Sequence, residues 1–498
     1  VSHDAHAAST SSTLRKLKKR AVSLGAAKAF EYGTHFLMPI VLVRCLDTAT
    51  FGEYRLLWLA MGTVAAVVNV GIPQGLFYFL PRSDATARRL YIHQTMLFLL
   101  TTGLIAAWAV SPLNPWLPSA IAPLAKYGPL VPVFVVLWVT GGLLDTLPLV
   151  EERIALEVRL VVAIATLRVL LLTAGAFLTG DLAVMIGLLI ALAFLKLLLL
   201  FGYVTRRHGL QGPWFDWRAF VDQFRHSAPL GVSSSLFGLR LQADQWVAAS
   251  LFALSSFAAF SVAAVLAPLV TLCRASVTDA FLPSMSRLQA AGDVRGMVDL
   301  NGRANATVAL VLLPALAFAF AFANEIVTII YTPNYLEAAP VMRVYICGLT
   351  VGVLEIHSLL LLLRQGPFAL RVNFAALAIS VSLSLFAAHH FGLAGAAAGS
   401  VTAIYFDRVL MFRRIASLTG IPVRRLQNWR ALAMTLLLAI ASAVLARSVV
   451  LHYLPASGPA LKLLVGGGAL ATTFLSLHIL LGLGRGWLAA AQRAEHNL

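Results

Sequence analysis

Apolar runs of spanning length recur along the chain, separated by short polar connections, at 21–44, 56–80, 90–111, 128–150, 155–178, 182–204, 228–252, 255–280, 304–324, 338–362, 368–388, 393–414, 430–450 and 460–483. A bilayer core is crossed by a helix of about 20 apolar residues. A transmembrane barrel would instead show alternating segments of about ten residues. These runs are continuous and rich in Leu, Ala and Val. The pattern predicts an all-α polytopic membrane protein with about fourteen transmembrane helices.

Composition agrees, because 59% hydrophobic and 12% charged residues do not describe a soluble globule. The net charge of +17 acts mainly through its placement. Arg15 to Arg20, Arg82, Arg88 and Arg89, Arg153 and Arg159, Arg206 to Arg225, Arg287 to Arg303, Arg364 and Arg371, and Arg408 to Arg430 fall in alternate connections. Positive residues near span ends are held in the cytoplasm. The expectation is a multi-pass protein of the bacterial cytoplasmic (inner) membrane with both termini cytoplasmic. No nucleic-acid partner is expected, since no basic soluble domain exists to carry one.

The first twenty residues are polar and basic without a short apolar core and cleavage site, so the first span is expected to be an uncleaved insertion signal. Cys45, Cys273 and Cys347 are too scattered for a disulfide framework or a thiolate metal cluster, and no metal or cofactor is expected. No phosphate-loop motif is present for a fused ATPase.

A weak repeat divides the chain. Phe51-Gly52-Glu53-Tyr54, a span, and Phe79-Leu80-Pro81-Arg82 are echoed by Phe257-Ala258-Ala259-Phe260, a span, and Phe281-Leu282-Pro283-Ser284. Parallel repeats of this kind build carriers that rock two bundles around a central cavity. The expected organisation is a basic tail at 1–20, a six-helix bundle at 21–204, an amphipathic linker at 205–227, a second six-helix bundle at 228–416, and an appended helix pair with a tail at 417–498. Trp214, Trp217, Val221 and Phe224 give the linker an apolar face suited to the headgroup layer.

Ionisable residues inside spans cost about 2.5–3.5 kcal/mol each on insertion scales and are candidates for function. Lys28, Glu31 and His35 share one helix face and could line a cavity; alternatively Lys28 pairs with Glu31 and snorkels. Arg240 and Asp244 stand at i, i+4 and could form an internal pair. Arg168, Lys196 and Arg274 are the other deep cations. Arg44 and Arg343 could hold a gate or anchor to headgroups. Asp145, Glu355 and His357 could couple to protons or sodium, or neutralise buried arginines. Asn69-Val70-Gly71-Ile72-Pro73 interrupts a span and, with Pro268 and Pro314, supplies hinge candidates. No catalytic residue is expected, because an enzyme such as a glycan polymerase or ligase would need an external loop or a catalytic cluster, and His389-His390 is the only external histidine pair.

The chain resembles the Wzx-type polysaccharide flippases of the multidrug/oligosaccharidyl-lipid/polysaccharide exporter superfamily. The resemblance rests on Val43-Arg44-Cys45-Leu46 with Phe51-Gly52-Glu53-Tyr54, on Asn69-Val70-Gly71 and Phe79-Leu80-Pro81-Arg82, and on Asp244 ahead of Phe257 to Ala263. Leu282-Pro283-Ser284, Ala291-Gly292-Asp293, Leu313-Pro314 and Tyr335-Leu336-Glu337-Ala338-Ala339 follow in order. Cys45, Gln245 and Ala258 to Phe260 depart from the usual residues. The resemblance implies a flippase that carries an undecaprenyl-diphosphate-linked oligosaccharide repeat to the periplasmic leaflet for exopolysaccharide, capsule or O-antigen synthesis. It implies alternating access around a cationic cavity, with membrane lipids and other polysaccharide-assembly proteins as partners. It also favours Arg240 as a diphosphate contact, from a pool with Lys28, Arg168, Lys196 and Arg274. A lipid II flippase and a drug or cation antiporter of the same superfamily are the competing transport readings.

Overall fold

The structure, a computed structural model, describes residues 2–481, with side chains from residue 22 onward. The side chains of the basic segment at 1–20 and the tail beyond 481 lie outside the described residues. Every regular element among the described residues is helical. Ten helices among them are long and apolar enough to cross a membrane.

The remaining expected spans are occupied by helices that fall short of that standard or are joined to a neighbour. Ser2–Cys45 and Trp217–Leu251 carry charges along their length, Lys28 and Glu31 in the first and Arg240 and Asp244 in the second, and Ala338–Gly352 has 15 residues. Gly366–Thr419 holds two spans joined at Gly392, whose φ of 64° and ψ of −146° suit only glycine. By length and apolarity, ten spans among the described residues stand against the expected complement of about fourteen.

Two compact units emerge, residues 1–242 with 249–258, and residues 243–248 with 259–498. The division falls near residue 242, inside Trp217–Leu251. The amphipathic segment packs on the first unit: Gln94 Nε2 donates to Gln223 Oε1 at 2.7 Å, and Trp214 stacks on His93 at 4.4 Å. Trp217 and Phe224 remain exposed, as an interfacial face requires.

Helix ends follow local chemistry that hydropathy does not show. The span expected at 56–80 begins at Thr48, because Asp47 accepts hydrogen bonds from the amides of Ala49 and Thr50 at 2.9 and 3.0 Å. It stops at Val68 and resumes as Ile72–Phe79. Val70 and Gly71, at φ 41° and 75°, make the break, and Pro73 lies in the first turn after it. Pro268 likewise opens Ala267–Ala290. A proline in a first turn forfeits no helical hydrogen bond, so neither residue kinks a helix interior. Pro314 alone of the three hinge candidates lies inside a helix, Val294–Ala321.

In the second unit, Met285, Met297, Ile356, Leu359, Met411, Phe412, Ile415 and Leu426 form an apolar core. The appended helices Trp429–Tyr453 and Pro459–Leu480 pack together, and Arg447 pairs with Glu325 at 2.5 Å.

Candidate functional site: charges buried in the helix bundles

The first unit gathers five of the sequence candidates. Lys28 Nζ lies 3.1 Å from Glu31, the one-turn spacing bringing the two together. Thr34 Oγ1 donates to the Glu31 carbonyl at 2.7 Å and accepts from Arg168 Nη2 at 3.5 Å. Arg168, in Ile154–Thr179, is 7% exposed, and among the described residues no carboxylate pairs with it. Lys196, in Leu182–Arg207, pairs with Asp145 at 2.6 Å, their side chains 6% and 49% exposed. Its Nζ also sits 5.1 Å from the Trp138 ring, which belongs to an aromatic cluster with Trp58 and Phe134. His35 is exposed on its helix.

Glu157 joins this group without having been anticipated. It is fully buried, and neither carboxylate oxygen has a hydrogen-bond partner among the described residues. Its charged surroundings are Asp145, Lys28, Lys196 and Glu31. The sequence signal was faint, since Glu157 stands between Arg153 and Arg159 and reads as part of a polar connection.

The second unit arranges its candidates differently. Asp244 accepts from Tyr345 Oη at 2.8 Å, Ser400 Oγ at 2.6 Å and the Gln245 amide at 2.8 Å, so its carboxylate is satisfied by neutral donors. Arg240, four residues earlier on the same helix but within the first unit, is also buried. Glu355 lies in the break between Ala338–Gly352 and His357–Leu362 and caps the latter, accepting from the amides of His357 and Ser358 at 3.0 and 3.2 Å. Asn301 and Asn305 both donate to the Glu355 carbonyl, and Glu355 N donates to Asn305 Oδ1. Gln427 ties the two asparagines together. None of these three amides carried a sequence signal. His357 Nδ1 lies 3.6 Å from Glu355 and 3.3 Å from Arg408.

Arg274 donates to the Gly352 carbonyl at 3.2 Å. Arg44 is exposed and donates to the Ile40 carbonyl, and Arg343 reaches the Phe320 carbonyl and Asn324. Asn69 donates to the Ala65 carbonyl at 3.0 Å, closing the helix before the break.

Beyond the end of Leu130–Val150, Glu151 meets His208 at 2.7 Å, Arg207 at 3.8 Å and the Tyr203 hydroxyl. Burial raises its carboxyl, but the hydrogen bonds from His208 and Tyr203 and the charges of His208 and Arg207 outweigh that and hold it below the usual range.

Residues 41–340 match the family described as "Polysaccharide biosynthesis protein". The chain belongs to that family. No curated protein gives a significant match. Among solved structures, this family member is similar to a lipid II flippase MurJ in an inward closed conformation, at 12% identity, covering 92% of this chain and 99% of that one with a TM-score of 0.67. It is also similar to a multidrug resistance MATE family transporter of the MOP superfamily. The inward-facing form gives 12% identity, 78% and 95% coverage and a TM-score of 0.59; the outward-facing form gives 14%, 81% and 97%, and 0.53. At these identities the likeness carries the fold. Family and fold together make the protein a multi-pass membrane protein of a polysaccharide-biosynthesis family, with a fold like that of these transporters.

Proposed function

We propose that the protein moves an undecaprenyl-diphosphate-linked oligosaccharide repeat unit from the cytoplasmic to the periplasmic leaflet, for exopolysaccharide, capsule or O-antigen synthesis. The observation that carries this reading is Arg168, a buried cation with no carboxylate paired to it among the described residues, beside the lysine–carboxylate pairs of Lys28 and Lys196. A buried arginine presents a planar fork of donors to phosphate oxygens. Lys28 and Lys196 can follow by exchanging Glu31 and Asp145 for the diphosphate. Arg240 and Arg274 complete the pool, and Asp145, Glu355 and His357 are the groups through which an ion could couple.

The transporter works by alternating access, with the break at Asn69, Gly71 and Pro73 and the helix-interior Pro314 as bending points and Arg44 at a gate. It resides in the bacterial inner membrane with both termini cytoplasmic, and hands its product to other polysaccharide-assembly proteins. An inside-negative potential favours export of an anion by about 2.3 kcal/mol per charge for each 100 mV.

The test is translocation of a polyprenyl-diphosphate oligosaccharide in proteoliposomes under an imposed potential. Wild type should move it, and Arg168→Ala should lose about tenfold or more, removal of a charge-assisted contact costing about 1.5–3 kcal/mol. Movement of lipid II or of an organic cation in place of this lipid, by folded protein, would replace the reading with the lipid II flippase or the antiporter.

A further inference from the structure

The first unit contains a cleft of about 470 Å³ at the break after Thr48–Val68. Its floor exists because two backbones nearly touch. A Cβ placed on Gly231 would lie 2.1 Å from the Val70 carbonyl, and one on Gly71 would lie 2.8 Å from the Ser227 carbonyl. On one wall, the Arg82 guanidinium and the His226 imidazole both rest on the Tyr78 ring, each 4.1 Å from its centroid. Arg82 spends one donor on the Tyr78 carbonyl at 2.7 Å, and a guanidinium has five. Gln74 and Ser234 also line the cleft, with Ser227, which is 3% exposed and whose hydroxyl has no hydrogen-bond partner among the described residues. Lys28 and Lys196, by contrast, are each held by a carboxylate.

We propose that this cleft binds the phosphorylated sugar headgroup of a lipid-linked substrate, Arg82 and His226 meeting the phosphate and the part of the Tyr78 ring they leave exposed packing against a sugar ring. The proposal rests on the flippase reading above and adds a loading subsite to it. The cleft volume falls within the ordinary range for small-molecule sites, about 300–1,000 Å³. A guanidinium fork suits phosphate oxygens, while an aromatic face suits the apolar face of a pyranose. The connection holding Arg82, Arg88 and Arg89 is one of the arginine-rich set assigned to the cytoplasm, the side from which such a substrate is loaded.

An anionic phospholipid offers the same phosphate chemistry without the ring, and the test separates the two. Full-length protein in nanodiscs of zwitterionic lipid is titrated with a short-chain polyprenyl-diphosphate-linked N-acetylglucosamine, with the same lipid lacking the sugar, and with phosphatidylglycerol. The sugar-bearing lipid should bind tightest. Arg82→Gln should weaken both diphosphate lipids about tenfold, with partial recovery in Arg82→Lys, and Tyr78→Leu should remove only the advantage conferred by the sugar. Unfolding midpoints equal to wild type confirm that the variants fold.

Phosphatidylglycerol binding as tightly as the sugar-bearing lipid, with the same Arg82 dependence, would overturn the proposal. So would binding unchanged in all the variants. Wild-type translocation with Arg82-independent binding defeats this subsite alone, whereas absence of wild-type translocation defeats the flippase reading and the subsite's role with it.

Discussion

In the first unit the polar interior is made of formal charges: Lys28 with Glu31 on one helix, Lys196 with Asp145, and, among the described residues, Arg168 without a carboxylate partner and Glu157 with both oxygens unbonded. At the broken span of the second unit the helices meet over amides, with Asn301, Asn305 and Gln427 holding the Glu355 backbone and the Glu355 carboxylate capping the next helix. Charge pairs can exchange partners when an anion arrives, but they are costly to keep dry. A saturated amide network has nothing to gain from a ligand and much to lose if broken. The first arrangement suits transport and the second suits fixing a bend.

The sharpest way to break this contrast is to remove one partner from each. Lys196→Met strands Asp145, and because Asp145 is half exposed the loss should fall near the lower end of about 3–5 kcal/mol, with Lys196→Met/Asp145→Asn recovering most of it. Thermal unfolding in detergent measures both; a single variant as stable as wild type would show that the pair is not structural. Asn305→Leu should cost about 2–3 kcal/mol by orphaning the Glu355 amide N–H and Gln427 Oε1, while transport per folded molecule stays near wild type.

Glu157→Gln sharpens the contrast from the other side. Its oxygens make no hydrogen bond among the described residues, so the neutral amide should leave stability within about 1 kcal/mol of wild type. A loss as large as that of Asn305→Leu would mean that Glu157 is held as firmly as the amides are.

The smallest effect concerns Glu151. Its carboxyl is depressed in the folded protein, so its stabilisation is present above the ordinary carboxylate range and is lost as pH falls through the folded value. Unfolding midpoints of wild type and Glu151→Gln should therefore differ near neutral pH and converge in acid; a gap that widens in acid would reverse the assignment.

Much of this was legible in the sequence, through particular signals. Continuous apolar runs disclosed the spans, and the one-turn spacing of Lys28 and Glu31 put them on one face but left cavity lining and pairing both open; the structure pairs them. Hydropathy cannot see a helix cap, which is why the span opened by Asp47 begins before the apolar run does. Prolines at 73 and 268 looked like kinks because their register relative to the breaks depends on backbone angles at Val70, Gly71 and their counterparts. The Lys196–Asp145 pair spans 51 residues and has no local period to betray it. Asn301, Asn305 and Gln427 are uncharged, so nothing in charge patterning marks them, and Glu157 was masked by the arginines on either side.

The most direct measurement compares translocation and stability in the same preparations of Arg168→Ala and Asn305→Leu, in proteoliposomes carrying a polyprenyl-diphosphate oligosaccharide. Arg168→Ala should lose transport about tenfold or more and keep its unfolding midpoint, while Asn305→Leu should lose stability and keep transport per folded molecule. Transport and stability falling in the same proportion in both variants would contradict the division of labour between the two polar interiors.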